Sequence, residues 1–205
     1  VGRKHGTSWS TRELGTGVRG AGLLAAAPTV AASGRHVVVA WVHTIGDQRI
    51  VKARVSHDSG RTWGPVAKLG AGDLPTVAAQ GARLAVAAGT PTRTAWVRVH
   101  SAGSWSAVRA IPIGTSLEKV VPHVALHGTT DVGIAVSRRS GAGVEETGTL
   151  EWRQSPDGGL TWSTAAAVSE PTAYYATPCS VLWRSTGDLY VAWQQVGGAV
   201  LRART

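Results

Sequence analysis

Phenylalanine and methionine are absent from this 205-residue chain, and cysteine occurs once, at Cys179. A lone cysteine cannot form an internal disulfide, so a small disulfide-stapled fold is excluded, and no Cys/His spacing suggests zinc. Cys179 follows Pro178 in a strand-like run and reads as a buried thiol rather than a reactive one. No apolar run approaches the roughly 20 residues that a membrane-spanning helix needs. The longest, Ala21 to Ala32, is interrupted by Gly and Pro. A signal peptide and an initiator Met are both missing from view, which reads as a processed or excised piece of a longer product. Helical periodicity is missing too, and with it any glycine loop that opens a helix to cradle phosphate. Acidic residues are scarce, 12 Asp+Glu against 21 Lys+Arg, for a formal charge of +9. Such an excess favours anionic partners, namely acidic glycans, a polyanionic cell surface or nucleic acid, or else serves solubility alone. Nucleic acid is the weakest of these, because the aromatic–basic interleaving of a recognition module is lacking.

What the chain does have is glycine (26), tryptophan (9) and short Val- and Ala-rich runs. That composition suits an all-β protein with many turns, and 205 residues suit one domain. Two segments share the pattern S-x-D-x-G-x-T-W: Ser56-His57-Asp58-Ser59-Gly60-Arg61-Thr62-Trp63 and Ser155-Pro156-Asp157-Gly158-Gly159-Leu160-Thr161-Trp162. Each residue type answers a need of a tight turn between antiparallel strands. Asp accepts hydrogen bonds from backbone N–H groups a few residues on, and Gly supplies a positive φ. Thr suits the strand that follows, and Trp brings a large ring to bury. Ser56, Asp58, Gly60, Thr62 and Trp63, with Ser155, Asp157, Gly159, Thr161 and Trp162, are therefore expected to be structural.

Self-comparison extends the pattern. Pro28-Thr29-Val30-Ala31-Ala32 recurs as Pro75-Thr76-Val77-Ala78-Ala79 and as Pro122-His123-Val124-Ala125-Leu126, each time 47 residues on, and Gly34, Gly81 and Gly128 keep the same offset. A looser fourth copy starts at Pro178, with its glycine at Gly187. After each glycine comes an apolar run, at Val37 to Val42, Leu84 to Ala88, Val132 to Val136 and Leu189 to Trp193. A third strand follows at Ile50 to Val55, Thr94 to His100, Thr149 to Gln154 and Val200 to Arg204. Degenerate copies of the turn end at Trp9, with Lys4 in place of Asp, and at Trp105, one residue short. Units of this length with four strands each predict the blades of a β-propeller, four of them visible. The last strand, Val200 to Arg204, parallels Ile50 to Arg54, and the chain begins at the corresponding turn. Two accounts fit: a four-bladed ring closed by pairing N-terminal with C-terminal strands, or a stretch of a longer propeller.

S-x-D-x-G-x-T-W, with P-x-V-A and V-x-V-A-W runs between its copies, resembles the Asp-box (BNR) repeats of sialidase-like β-propellers over essentially the whole chain. The resemblance implies that the two Asp boxes turn between the third and fourth strands, opposite the ligand face. Sialidases, other glycosidases, lectin-like proteins, sorting receptors and assembly factors all share the repeat. A sialidase is further expected to have six blades, an R-I-P opening, three arginines on a carboxylate, a Tyr/Glu nucleophile pair and an Asp acid. No R-I-P run occurs here, since Ile111-Pro112 is preceded by Ala110, and no arginine carries over by motif.

Function is then expected on the loops after the second and fourth strands, which rigid scaffolds use for binding. Those loops hold His43, Asp47 and Arg49; Asp73; Arg93; Glu118 and Lys119; Arg138, Arg139, Glu145 and Glu146; Tyr174 and Tyr175; and Gln194 and Gln195. The ligand-binding candidates are Arg138 and Arg139, whose guanidinium pair suits carboxylate, sulfate or phosphate, with Glu145 and Glu146 on the same loop; these four alternatively pair with one another. Tyr174 and Tyr175 suit sugar stacking, a protein contact or packing of the loop, and Arg93 and Asp73 complete the set. Carboxylates from different loops, Asp47, Asp73, Glu118 and Glu145, are the material for glycoside hydrolysis, which needs a pair about 5 to 9 Å apart. Trp41 and Trp193 occupy matching places in second strands and read as packing between blades. His43 and His123 have no metal-ligand companions, and no cofactor is implied. The first reading is a secreted, non-catalytic recognition module that binds glycan or a protein partner; a sialidase-like exo-glycosidase and a structural docking domain are the alternatives.

Overall fold

The computed structural model describes residues 1–15, 28–113, 120–140, 147–169 and 176–195. Among them every regular element is a β-strand, and all pairing is antiparallel. A hairpin of β1 (Gly2–His5) and β2 (Ser8–Thr11) comes first. The first blade is β3 (Thr29–Ser33), β4 (His36–Ile45), β5 (Gln48–Ser56) and β6 (Ala67–Ala71). The second is β7 (Asp73–Gln80), β8 (Arg83–Gly89), β9 (Ala95–Ser101), β10 (Ser104–Trp105) and β11 (Arg109–Ile111), the last two sharing one edge of β9. The third is β12 (Pro122–His127), β13 (Asp131–Ser140), β14 (Thr147–Ser155) and β15 (Ala166–Ala167), and a two-stranded sheet of β16 (Ala176–Trp183) and β17 (Leu189–Gln195) follows. Among the described residues there are thus three full blades and two half-blades where four blades were expected, with the expected strand Val200 to Arg204 outside the described set, and no described pairing joins β1–β2 to β16–β17.

The alternation of each second strand explains how the blades stack, since successive side chains leave opposite faces. In β4, Val38, Ala40 and Val42 face the second blade and pack with Leu84, Val86, Ala88 and Trp96. In β8 the other parity, Ala85 and Ala87, faces the third blade with Val132, Ile134 and Val136. Ala135 and Trp152 of the third blade then meet Val191 and Trp193 of β17. Trp193 therefore packs between blades as the sequence predicts. Trp41 has the same parity as Trp193 and leaves the face of β4 opposite to Val38, Ala40 and Val42, packing with Val39, Leu14 and Trp63. Polar links supplement these contacts. Thr76 Oγ1 donates to the Pro122 carbonyl at 2.6 Å and accepts from Val124 N–H, tying β7 to β12.

Both S-x-D-x-G-x-T-W turns have the expected construction. Asp58 accepts from the Thr62 amide and hydroxyl, and Ser56 Oγ accepts from the Gly60 amide at 2.8 Å. Asp157 and Ser155 repeat this with Leu160, Thr161 and Gly159. Those donors hold both carboxyls far below the usual carboxylate range. The degenerate copies differ in kind. Around Trp105 the turn is Ala102-Gly103, both with positive φ (48° and 81°), a two-residue hairpin that needs no Asp.

One further regularity links turn to blade. The residue after each Trp donates its amide to a third-strand carbonyl: Gly64 to Val55, Ser106 to Val99 and Ser163 to Gln154. It also accepts from a third-strand arginine, Arg54, Arg98 or Arg153.

Candidate functional site

Antiparallel order puts the S-x-D-x-G-x-T-W turns at one end of the blades and the turns after second and fourth strands at the other. At that second end Arg49, near the start of β5, meets Asp73, the first residue of β7. Arg49 Nη1 lies 3.0 Å from both Asp73 carboxylate oxygens, and the Asp73 side chain is only 4% exposed against 32% for Arg49. The chain makes this contact with an irregularity. Register shifts between Asp73 and Thr76, and Leu74 adopts φ +45°, a left-handed conformation that a leucine occupies only when its surroundings impose it. Gly72, just before, is forced to be glycine, since a Cβ there would sit 2.8 Å from the Gly89 carbonyl oxygen.

The geometry leaves Arg49 fixed but not exhausted. One nitrogen is held by a buried carboxylate, while Nε and Nη2 make no hydrogen bond among the described residues. Beside it is a cavity of ≈ 550 Å³ between the first and second blades, lined by Asp47, Gln48, Ile50, Lys68, Leu69 and Pro91 among others. Its floor is apolar, and its polar groups include one guanidinium, one ammonium, one amide and one carboxylate. This mixture of donors and acceptors around a small apolar base is how sites for small polar molecules are built.

Of the residues singled out in the sequence, Arg49 and Asp73 are brought together, and Asp47 borders the same cavity. Arg93 is exposed in the β8–β9 turn with φ +63°, two residues from the cavity-lining Pro91. Arg138 and Arg139 are not on a loop. They lie within β13, opposite Thr149 and Gly148, because the β13–β14 ladder continues to Ser140 and Thr147. Their side chains, with those of Cys179, Gln194 and Gln195, are outside the described set, as are Glu118, Lys119, Glu145, Glu146, Tyr174, Tyr175 and the Val200 to Arg204 strand. His43 likewise belongs to β4, opposite Ile50. His123 sits on β12, where burial lowers its pKa to about 4. Among the described residues no three His, Cys, Asp or Glu side chains are placed to hold a metal ion, and no helix is long and apolar enough to cross a membrane.

A histidine row at the opposite end had no signal in the sequence. His36 Nδ1 lies 2.9 Å from His57 Nδ1, and the His57 ring is 5.7 Å from that of His100, which meets Trp105 edge-on. Residues from two blades form it, so no local motif announces it.

No family model and no curated protein matches the chain. Solved structures do. The α-L-arabinanase of Penicillium chrysogenum, complexed with arabinobiose, superposes with a TM-score of 0.56 over 88% of this chain and 61% of its own, at 14% identity. The α-L-arabinofuranosidase of Fusarium graminearum, with an iminosugar inhibitor, gives 0.51 over 95% and 71%, also at 14% identity. The fold is a β-propeller. The chain spans about three-fifths of the arabinanase's length.

Proposed function

We propose that this propeller binds carbohydrate at the end that carries Arg49, as a non-catalytic recognition module of a secreted protein. The supporting observation is the Arg49–Asp73 pair beside the ≈ 550 Å³ cavity. Asp73 fixes the guanidinium and leaves two nitrogens for ligand hydroxyls, while Lys68, Gln48 and Asp47 add donors and acceptors around an apolar floor. Asp73 is buried in the grip of Arg49, so it positions a binding group and does not act on a bond itself. Asp73 neutralises Arg49 from behind and Asp47 offsets Lys68, which suits a neutral sugar better than a strongly acidic one. The glycan-active neighbours by fold point the same way.

A glycosidase is the second reading, because both of those neighbours are named as glycoside-cleaving enzymes. Between the hydrolase alternatives they favour one acting on neutral furanosides over a sialidase. Calorimetric titration with arabinobiose, xylobiose, cellobiose and sialyllactose tests both readings. Binding of a neutral disaccharide is expected, weakened about tenfold in Lys68→Ala or Gln48→Ala through loss of a ligand hydrogen bond. These positions are chosen because Arg49 also holds the buried Asp73 carboxylate, so its removal would disturb the fold as well as the site. Release of reducing sugar would convert the reading to the enzymatic one. Folded protein that binds none of the four would overturn both.

A further inference from the structure

The repeat provides a comparison within the chain. In the first blade Val37 pairs with Ser56, where the S-x-D-x-G-x-T-W turn begins, and His36 and His57 are the next residues outward on the two strands. In the third blade Val132 pairs with Ser155 in the same way, and the next residues outward are Asp131 and Pro156. The third blade's turn nevertheless closes with the same serine and aspartate hydrogen bonds. The fold therefore does not require histidine at either place. Histidine at both belongs to the first blade alone, and it sets two bases side by side that ligate metal ions when neutral.

The pair is held in place by the backbone. His36 Nδ1 and His57 Nδ1 are 2.9 Å apart, one donating to the other, with the ring planes crossed at 73°. His36 pairs with Ser33 in the β3–β4 hairpin, and the Ser59 amide donates to the Arg35 carbonyl at 2.8 Å, which draws one turn onto the other. Ser59 does this at φ +62°, a left-handed conformation kept by the Ser56 and Asp58 hydrogen bonds around it. The second blade backs the pair. His100 is 6% exposed, its ring is 5.7 Å from that of His57, and Trp105 meets it edge-on. Its buried Nδ1 has no hydrogen-bond partner among the described residues, so a third base stands behind the pair. Nε2 of His36 and of His57 makes no hydrogen bond among the described residues either, and His57 is exposed.

We infer that His36 and His57 form a two-histidine site for a divalent transition-metal ion of tetragonal preference, Cu²⁺ above all. The separation selects the geometry. Imidazole nitrogens bind such ions at about 2.0 to 2.1 Å, so two of them stand about 3.3 Å apart across a tetrahedral angle and about 2.9 Å apart at a right angle. The observed 2.9 Å matches the right angle, which suits Cu²⁺ or Ni²⁺ better than tetrahedral Zn²⁺. A small rotation about χ2, which is soft in histidine, turns the two lone pairs from each other onto one ion. The Nδ1 proton of the donor ring then moves to its own Nε2, so two neutral imidazoles ligate and the ion keeps its charge. Solvent completes the coordination beside the exposed His57. Of the charged neighbours, Arg35 opposes a cation and the ionised Asp58 offsets it. Desolvation and the charges of His57 and Arg35 lower the pKa of His36, which weakens competition from protons near neutral pH. The site lies at the end of the blades away from Arg49 and does not depend on the carbohydrate reading.

Titration of the full 205-residue chain with CuCl₂ in a non-coordinating buffer at pH 7.5 tests this, followed by calorimetry and electron paramagnetic resonance. The expected result is one ion per chain with a tetragonal copper spectrum split by two nitrogens, and weaker binding of Ni²⁺ and Zn²⁺. His36→Gln and His57→Gln should each weaken Cu²⁺ by at least about tenfold and leave one nitrogen in the spectrum. Both variants should fold, because the third blade builds the same turn with Asp131 and Pro156 at these places. His127→Gln, in the β12–β13 hairpin, should change neither affinity nor spectrum. At pH 5 protons compete for both rings, and affinity should fall by at least about tenfold. Paramagnetic broadening of amide signals should centre on residues 35–37 and 56–59. Copper held equally well by both variants would be an adventitious ion only and would overturn the inference. Broadening centred elsewhere would reject the pair, and so would a folded chain that binds no copper at a 100-fold excess of the ion.

Discussion

At the scale of single residues, the acidic side chains divide by their partners. Asp58 and Asp157 resemble catalytic carboxylates in the sequence, but every strong contact they make is to the turn that contains them. Their hydrogen bonds favour the ionised form, so they stabilise the fold above the ordinary carboxylate pKa and lose that contribution as pH falls below about 4. His123 acts in a higher window. Its pKa in the folded chain is about 4 because burial penalises the imidazolium, whereas an unfolded histidine titrates near 6.5. Between those values the unfolded chain binds the extra proton, so stability is fully present above pH 6.5, falls toward pH 4 and changes no further below it on this account. The loss should be on the order of 2 kcal/mol, given that His123 retains some exposure. Urea titrations at pH 7 and pH 4.5 should show this difference shrinking in His123→Gln, and an unchanged difference would assign the acid sensitivity elsewhere. The turn roles were legible because one local pattern holds all the partners. His123 was visible only as a histidine, since its burial comes from neighbours far along the chain.

At the scale of elements, the positions of strands were readable and their lengths were not. Pro, Gly and apolar runs located every second strand and the third strands of the first three blades. The Ser137 to Gly148 segment, rich in charge and glycine, reads as a long loop, yet β13 and β14 continue through Ser140 and from Thr147. Backbone pairing once begun adds residues at little cost where side chains can point to solvent, and composition alone does not announce this. Glycines in strands show the converse. Gly133 on β13 has no positive φ to explain it. A Cβ there would fall 1.9 Å from Trp152 Cη2, so the ring lies flat across the strand and meets Trp183 edge-on. Gly133→Ala should displace Trp152 from the third blade's outer contact and cost roughly 1 to 3 kcal/mol, the range for overpacked cores. Denaturant unfolding followed by tryptophan fluorescence measures it. A neutral result would mean that Trp152 has a second position available.

For the molecule as a whole, the proposed binding site and the cohesion both lie between blades, and this is where sequence reading ends. Arg49 and Asp73 are 24 residues apart in different blades, and nothing in either local pattern says that they meet. The sheet faces were legible as alternating apolar positions, but which polar groups cross a junction depends on how two finished sheets dock. Among the described residues the junction between the second and third blades has the broadest apolar core, and arginines stitch its rim. Arg83, at the start of β8, donates to the carbonyls of His127, Gly128 and Asp131, so one side chain holds the turn between β12 and β13. Charged donors to carbonyls contribute more than neutral ones. Arg83→Met keeps the aliphatic stem and removes all three bonds, so the loss should be about 1.5 to 3 kcal/mol. If blades unfold as coupled units, the same variant should speed amide exchange in β12 and β13 as well as lower global stability. Faster exchange confined to residues 127–131 would instead make Arg83 a local clamp on one turn, and the junction's strength would then rest on its apolar core.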